Sequence, residues 1–238
     1  MPTFTHGRNA KVLANGYDLS AFFKSVSQTG TSDTAEVSTL GSTSKNYIPG
    51  LKDSKFSVDG FYDATAAGSD VVLSGIIGAA TVWTTVFSSD AVGARGYVAT
   101  VIGTSVATGA DIGGAVSVKA EGQATTGPDA ITVLSPLAAR TATANGTQVD
   151  NTTATTNGAS SYLQVTAAAG STPTLVVKLQ HSVDASTWVD LATHTTVVAG
   201  NQSERIAVTG TVNRYIRTLY TITGSSPTFT FHHAAARL

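Results

Sequence analysis

The sequence predicts a mainly β protein: an amino-terminal β-barrel or sandwich carrying one short helix, followed by a carboxy-terminal antiparallel β-sandwich. Three observations predict it. Threonine, serine, alanine, glycine and valine carry most of the 238 residues, a strand-and-turn composition. Apolar residues recur at alternate positions in successive runs, the period of a half-buried strand. Glycine, proline or asparagine turns separate those runs at a spacing that suits an antiparallel sandwich. A chain of this length can bury one large β core or two small ones.

Taken in order, residues 10–14 and 17–20 flank Asn15-Gly16, the dipeptide best suited to a tight hairpin because both central positions need positive φ. Residues 27–50 hold few bulky apolar groups and end in Pro49-Gly50, so they read as a long loop, a feature that usually has a job. Phe56, Val58 and Tyr62 then face away from Lys55, Ser57 and Asp59. Ser69-Asp70 suits a helix start, with Val72, Leu73, Ile76 and Ile77 as its apolar face and Gly78 at its end. Strands are expected over 81–87, 97–106 and 115–123; in the last, Val116, Val118 and Ala120 oppose Ser117, Lys119 and Glu121.

The run Thr125-Thr126-Gly127-Pro128 breaks the pattern, and one more strand follows at 131–134. A domain junction is expected near 127–140, giving domains 1–127 and 128–238 with a polar linker at about 140–160. Six further strands are expected at 162–167, 174–181, 187–194, 203–208, 214–222 and 228–233.

Bulk properties narrow the function classes. Charged residues make up 12% and the formal net charge is −1, so no basic face advertises tight nucleic-acid binding. Cysteine is absent, which removes disulfides and thiolate metal sites. The amino terminus, Met-Pro-Thr-Phe-Thr-His-Gly-Arg, lacks a basic segment followed by an apolar core, so no export signal is expected. The longest apolar run, 71–82, is interrupted by Ser74, Gly75 and Gly78 and falls short of the roughly 20 residues that cross a bilayer.

A search for chemistry finds none. There is no G-x-S-x-G elbow, no phosphate-binding glycine loop followed by lysine and no calcium loop of spaced acids. His232 and His233 are neighbours on an expected strand, so their rings point to opposite sides, one to solvent and one inward. The glutamates are Glu36, Glu121 and Glu204 alone, and the aspartates cluster at turns. The expectation is no enzyme, no catalytic residue, no metal and no cofactor.

Residues 39–63, Thr-Leu-Gly-Ser-Thr-Ser-Lys-Asn-Tyr-Ile-Pro-Gly-Leu-Lys-Asp-Ser-Lys-Phe-Ser-Val-Asp-Gly-Phe-Tyr-Asp, join a polar loop to an alternating strand. This combination resembles the major tail tube proteins of long-tailed bacteriophages. The segment His181-Ser182-Val183-Asp184-Ala185-Ser186-Thr187-Trp188-Val189-Asp190-Leu191, with Arg214-Tyr215-Ile216-Arg217 later, resembles discoidin-like galactose-binding jelly rolls, whose tryptophan is generally a core residue. Similar carboxy-terminal domains are attached to some tail tube proteins. Arg214 and Arg217, three apart on a strand, face opposite sides.

The resemblance implies a virion structural protein whose copies assemble into stacked rings, forming a tail tube through which DNA passes. Its partners would be itself, tape-measure and tail-tip or terminator proteins, and passing double-stranded DNA held without tight binding; no membrane is implied. It would be found in the virion tail, and in the host cytoplasm during assembly. The first domain would build the tube and the second project outward. On this reading the inter-subunit loop is Leu40, Gly41, Lys45, Tyr47, Ile48, Pro49 and Gly50, which would gain by docking on a neighbouring copy. A conduit must not hold phosphates, since each neutralising cation adds salt-dependent affinity. The mixed polar strand face of Ser117, Lys119, Glu121 and Gln123 is therefore the candidate lumen wall. Two other readings compete: a capsid decoration or other virion structural protein, and a carbohydrate-binding β-sandwich protein contacting host surface glycans.

Overall fold

The computed structural model describes residues 6–238. The expectation that no export signal begins the chain rests largely on residues 1–5, outside the described residues. A 3-10 turn, Gly7–Asn9, leads into β1 (Lys11–Ala14), β2 (Tyr17–Asp18), β3 (Phe23–Glu36), β4 (Tyr47–Phe61), α1 (Ser69–Gly75), β5 (Ala80–Val86), β6 (Arg95–Gly109) and β7 (Ser117–Ala124). Then follow β8 (Asp129–Arg140), β9 (Ala144–Asn145), β10 (Val149–Asp150), β11 (Ala159–Ser182), β12 (Val189–Thr193), β13 (Gln202–Val208) and β14 (Tyr215–Arg237). The protein is mainly β, antiparallel, with one helix, as the sequence predicts.

The first half is a sheet in the order β2-β1-β5-β6-β7-β4-β3. Asn15 and Gly16 take φ of 50° and 78°, closing the expected β1–β2 hairpin. One face of β4 and β7 buries Phe56, Val58, Val118 and Ala120 against Trp83, Val101 and the helix residues Val72, Leu73 and Ile76. Ile77 is half-exposed; it bridges Gly103 through its backbone instead of joining that core. Gly68 occupies the helix N-cap with no side-chain bond, while Ser69 Oγ donates to Phe61 O (2.7 Å) and accepts from Asp63 N (3.0 Å). The serine expected to cap the helix pins it to the end of β4 instead.

The second half is dominated by β11 and β14, which pair from Ala159↔Arg237 to Ser182↔Tyr215. Four separate strands were expected here, because Gly170-Ser171-Thr172-Pro173 and Gly224-Ser225-Ser226-Pro227 read as turns. They are opposed kinks inside one ladder. Gly170 (φ 113°) and Thr172 (φ 46°) face Gly224 (φ 125°) and Ser226 (φ 49°), and Ser171 still pairs with Ser225. A Cβ on Gly170 would lie 2.9 Å from Pro227 Cα, and one on Gly224 would lie 2.9 Å from Pro173 Cα. The bend therefore needs a glycine in each strand opposite the other's proline.

Residues 140–160, expected as a polar linker, lie against the sheet: β9 and β10 both pair with β14, and Thr155 bridges Val212. Asp150 accepts two bonds from Arg214, at 2.7 and 2.6 Å. Hydrogen bonding also runs without a break between the halves, since β8 pairs β6 over Asp129–Thr132 and pairs β14 farther along. Val82, Val98, Ile131, Tyr162, Ala234 and Ala236 form a buried cluster at that junction.

The junction also holds a buried polar clamp. Gln164 Oε1 accepts from Gly16 N (2.7 Å) and its Nε2 donates to Val82 O (2.8 Å), both across the two halves. Gly16 has no room for a side chain, because a Cβ there would sit 2.3 Å from Gln202 N. Replacing Gln164 with leucine strands the buried Gly16 N–H, while Val82 O still accepts from Asn15 N (3.0 Å), so the loss is about 1–3 kcal/mol. Urea unfolding should show that loss; an unchanged midpoint would mean the clamp contributes nothing.

Candidate assembly surface

The region expected as a loop over 27–50 is a long two-stranded arm. β3 and β4 pair from Phe23↔Gly60 to Glu36↔Tyr47, with a bulge between Ser32 and Thr34. Period-two apolar patterning is missing from β3 because nearly every residue beyond Val26 is exposed, so no buried face imprints the sequence. β7 covers β4 only over Lys55–Phe61. From Tyr47 to Ser54 the ribbon therefore has no third strand and runs roughly 25 Å beyond the sheet.

The arm is ordered by its own bonds. Val37 N donates to Asn46 O (2.8 Å), Asn46 N to Ser38 Oγ (3.0 Å) and Ser42 N to Thr39 O (2.9 Å). Lys45 pairs with Glu36 at 3.0 Å. Pro49 lies opposite Thr34, a position with no neighbouring strand to lack its N–H, and Gly50 fits against the Asp33 bulge, where a Cβ would be 3.0 Å from Asp33 Cβ. Five apolar side chains remain in solvent: Val37, Leu40, Tyr47, Ile48 and Leu51, with Leu40 at 110% relative exposure. Gly41 is exposed beside Leu40 at the tip.

The opposite end of the same sheet carries a second exposed apolar set. β7 runs antiparallel to β4, so Phe61 pairs with Ser117 at one end and Lys55 with Gln123 at the other. The arm extends past the Gln123 end. Past the Ser117 end lie Phe61, Tyr62, Val116 and, at the β6–β7 turn, Ile112, which is 109% exposed. Ile112 went unnoticed in the sequence; its signal is an isoleucine set among Asp111, Gly113 and Gly114, where a turn favours small or polar residues.

The candidate lumen residues Ser117, Lys119, Glu121 and Gln123 do share one face of β7, opposite the buried Val118 and Ala120. Their cross-strand partners Lys55, Ser57 and Asp59 extend the face over β4, and Ser25, Ser27 and Thr29 extend it over β3. Asp59 lies 3.2 Å from Lys24 and 3.8 Å from Lys119, and Ser27 Oγ bonds Ser57 Oγ at 2.8 Å. Gln123 is held by Asp53 and by Ser54 O. The result is a broad, hydroxyl-rich sheet face on which acids and bases interleave.

The histidines depart from expectation. His232 and His233 are both buried, because β14 is covered on both faces here. His232 lies 3.3 Å from Asp90, a residue of the first half; burial pushes the Asp90 carboxyl up, but His232 and the Leu137 N–H outweigh it and leave it low. His233 joins a chain that the sequence did not disclose. His233 Nδ1 is 2.6 Å from Thr218 Oγ1, its Nε2 is 2.8 Å from Ser161 Oγ, Ser161 Oγ is 2.9 Å from His194 Nε2, and His194 Nδ1 is 2.8 Å from Glu204.

One proton arrangement satisfies every member with both rings neutral. The Glu204 carboxylate accepts from His194 Nδ1–H, so His194 Nε2 accepts from Ser161. The Ser161 hydroxyl then accepts from His233 Nε2–H, and His233 Nδ1 accepts from Thr218. Serine, histidine and glutamate in this order resemble a nucleophile relay, but Ser161 is fully buried in mid-strand and its hydroxyl is shared with a second ring. The chain ties β13 to β11 and β14. Among the described residues no cluster of three or more His, Cys, Asp or Glu is placed to hold a metal, and no helix is long and apolar enough to cross a membrane.

Trp188 was expected in the core. It is only partly buried, and the Arg217 guanidinium stacks on its ring at 4.0 Å from the centroid. The loop carrying it is built by Asp184, whose Oδ1 accepts from Thr187 N (2.8 Å), Ser186 N (2.9 Å) and Ser182 Oγ (2.8 Å). Arg214 and Arg217 have separate partners, Asp150 for the first and Gln180 for the second.

No family model and no curated protein matches this chain. Among solved structures it is similar to a chain of the virion of a native gene transfer agent particle (14% identity, 53% of this chain and 98% of that one, TM-score 0.43). It is similar to a chain of the tail of an empty gene transfer agent particle solved with C6 symmetry (11% identity, 53% and 98%, TM-score 0.44). A third likeness is to a chain of the phage p2 baseplate in its activated conformation (11% identity, 96% and 97%, TM-score 0.35). Likenesses of this size carry no argument about residues or activity.

The buried histidine chain makes stability depend on pH. Burial holds both His194 and His233 below the ordinary histidine value, Glu204 only partly offsetting this at His194. The unfolded chain thus binds more protons once pH falls below about 6.5, and stability, full above that value, declines as pH drops. The thermal midpoint should fall between about pH 7.5 and 5.5. His194→Gln, which keeps one donor and one acceptor without titrating, should flatten that decline; an identical slope would remove His194 from the account.

Proposed function

We propose that this chain is a virion tail structural protein whose copies associate head to tail into stacked rings, forming a tube that conducts DNA. The observation that carries the reading is the polarity of the first-half sheet: an apolar-tipped arm at one end and an apolar patch at the other. Different surfaces at opposite ends give a heterologous contact, which propagates instead of stopping at a dimer. The motif at 39–63, which resembles that of phage tail tube proteins, forms the arm tip and β4. Residues 1–127 supply the polymerising sheet and 128–238 an outward-facing sandwich fastened to it.

The hydroxyl-rich face around Ser117, Lys119, Glu121 and Gln123 suits a lumen. Lys24, Lys55 and Lys119 interleave there with Asp53, Asp59 and Glu121, three charges of each sign, so a sliding duplex meets no net cationic surface. Tape-measure and tip or terminator proteins would set the length of such a tube. No catalytic step is assigned to it.

Electron microscopy of the purified chain at rising concentration tests this. Hollow filaments of stacked rings are expected, whereas a compact monomer at every concentration would contradict the proposal. Replacing Ser38–Lys45 with Asn-Gly closes the arm as a two-residue hairpin. That variant should keep its fold and lose filaments; filaments of unchanged length would take the arm tip out of the contact.

A further inference from the structure

Three asparagines in this chain precede glycine: Asn15, Asn145 and Asn157. An asparagine in that setting can react with its own main chain. The amide nitrogen of the next residue attacks the side-chain carbonyl carbon, and glycine has no side chain to shield that nitrogen. A hydrogen bond that fixes the glycine N–H holds the nitrogen in place and opposes the step.

The structure separates the three. Gly16 N donates to Gln164 Oε1 at 2.7 Å inside the junction clamp, and Gly146 N donates to Thr218 O at 2.7 Å where β9 lies on β14. Gly158 N makes no hydrogen bond among the described residues, although Gly158 O accepts from Leu238 N at 3.0 Å. Asn157 is exposed, and its own N–H turns back onto Thr155 Oγ1 at 3.3 Å, leaving its side chain unbonded. The glycine after it cannot be exchanged for a shielding residue. Gly158 holds φ of 89°, and a Cβ there would sit 2.1 Å from Val208 O. The turn into β11 therefore requires the reactive pair.

We propose that Asn157 is a self-modification site, converting to aspartate and isoaspartate through a cyclic imide formed with Gly158. Gly158 N gives its proton to solvent and bonds to Asn157 Cγ; the Cγ–Nδ2 bond breaks and Nδ2 leaves as ammonia. Water then adds to one of the two imide carbonyls. Opening at Cγ restores the ordinary main chain with an aspartate, whereas opening at the main-chain carbonyl leaves the chain running through the side chain. Both products add a negative charge, and the second also lengthens the main chain by a methylene group. That insertion falls where Thr155 Oγ1 donates to Leu238 O at 2.9 Å and Arg237 Nη2 to Thr153 O at 2.6 Å, bonds that fasten the end of β14. Isoaspartate at position 157 therefore loosens that end. The reaction needs one copy only and is independent of the tube reading.

The full chain, kept folded at mildly alkaline pH and sampled over days, tests this after digestion with trypsin. Asn145 and Asn157 fall on one peptide, 141–178, so tandem mass spectrometry compares them within the same molecule. Asn157 should convert at least tenfold faster than Asn145, to isoaspartate and aspartate together. In urea, where Gly146 loses its bond to Thr218, the two should convert at similar rates. Hydrogen exchange at the Leu238 amide should quicken as isoaspartate accumulates and stay constant in Asn157→Gln, whose longer side chain disfavours the ring. Equal rates at the two asparagines in the folded chain, or an Asn157 that survives while the unfolded chain reacts, would overturn the site. Unchanged exchange at Leu238 in isoaspartate-bearing protein would overturn the loosening of β14.

Discussion

The proposed assembly depends on one strand that has, over half its length, a single hydrogen-bonded neighbour. β4 is paired on both sides over Lys55–Phe61, where its inner face buries Phe56 and Val58, and on one side from Tyr47 to Ser54, where every residue from Tyr47 to Asp53 is exposed. The same strand thus anchors the core and projects from it. Exposed edge groups and apolar side chains on such a ribbon are a liability in an isolated molecule. Here the bulge at Asp33, Pro49 and the Lys45–Glu36 pair break the regularity of the arm. A specific neighbour can then use its tip without any flat edge inviting indiscriminate pairing.

Fastening the two halves together serves the same end. The Gln164 clamp, the His232–Asp90 contact and the passage of β8 from β6 to β14 leave little freedom between them. In the proposed tail assembly, load would pass between the halves through such contacts. The Gln164 amide is satisfied in one geometry only, so it specifies the docking more than it stabilises it. The histidine chain from Thr218 to Glu204 works in this way inside the sandwich, holding β13 in register with neutral rings.

The sequence made legible those elements in which one face is buried and the other is wet. The Asn15-Gly16 hairpin, the start of the helix at Ser69 and the alternation of β7 are legible because each leaves a local pattern, whereas the helix ends at Gly75 instead of near Gly78 and leaves Ile77 out of its buried face. β3 leaves none, being exposed on both sides, so this strand of the arm reads as loop in the sequence. β11 and β14 each read as two strands, since Gly170 and Gly224 mark bends that keep their pairing and local residues do not distinguish a kink from a turn. His232 and His233 were expected to divide between solvent and core; covering β14 on both faces is a tertiary fact with no local trace. Trp188 failed for the opposite reason: its motif suggested a core position, and the Asp184 loop lifts the ring to the surface under Arg217. The polar face of Ser117, Lys119, Glu121 and Gln123 was visible in the sequence as a face, and Ile112 was visible only as an oddity.

The most direct measurement exploits the absence of cysteine in this chain. Leu40→Cys and Ile112→Cys proteins, mixed and oxidised at a concentration that supports association, report which ends meet. Head-to-tail contact predicts a mixed disulfide between the two variants, strongly favoured over either like pair. Leu40→Cys proteins that crosslink chiefly to one another would mean that the arms meet symmetrically, which closes at a dimer and contradicts a propagating assembly.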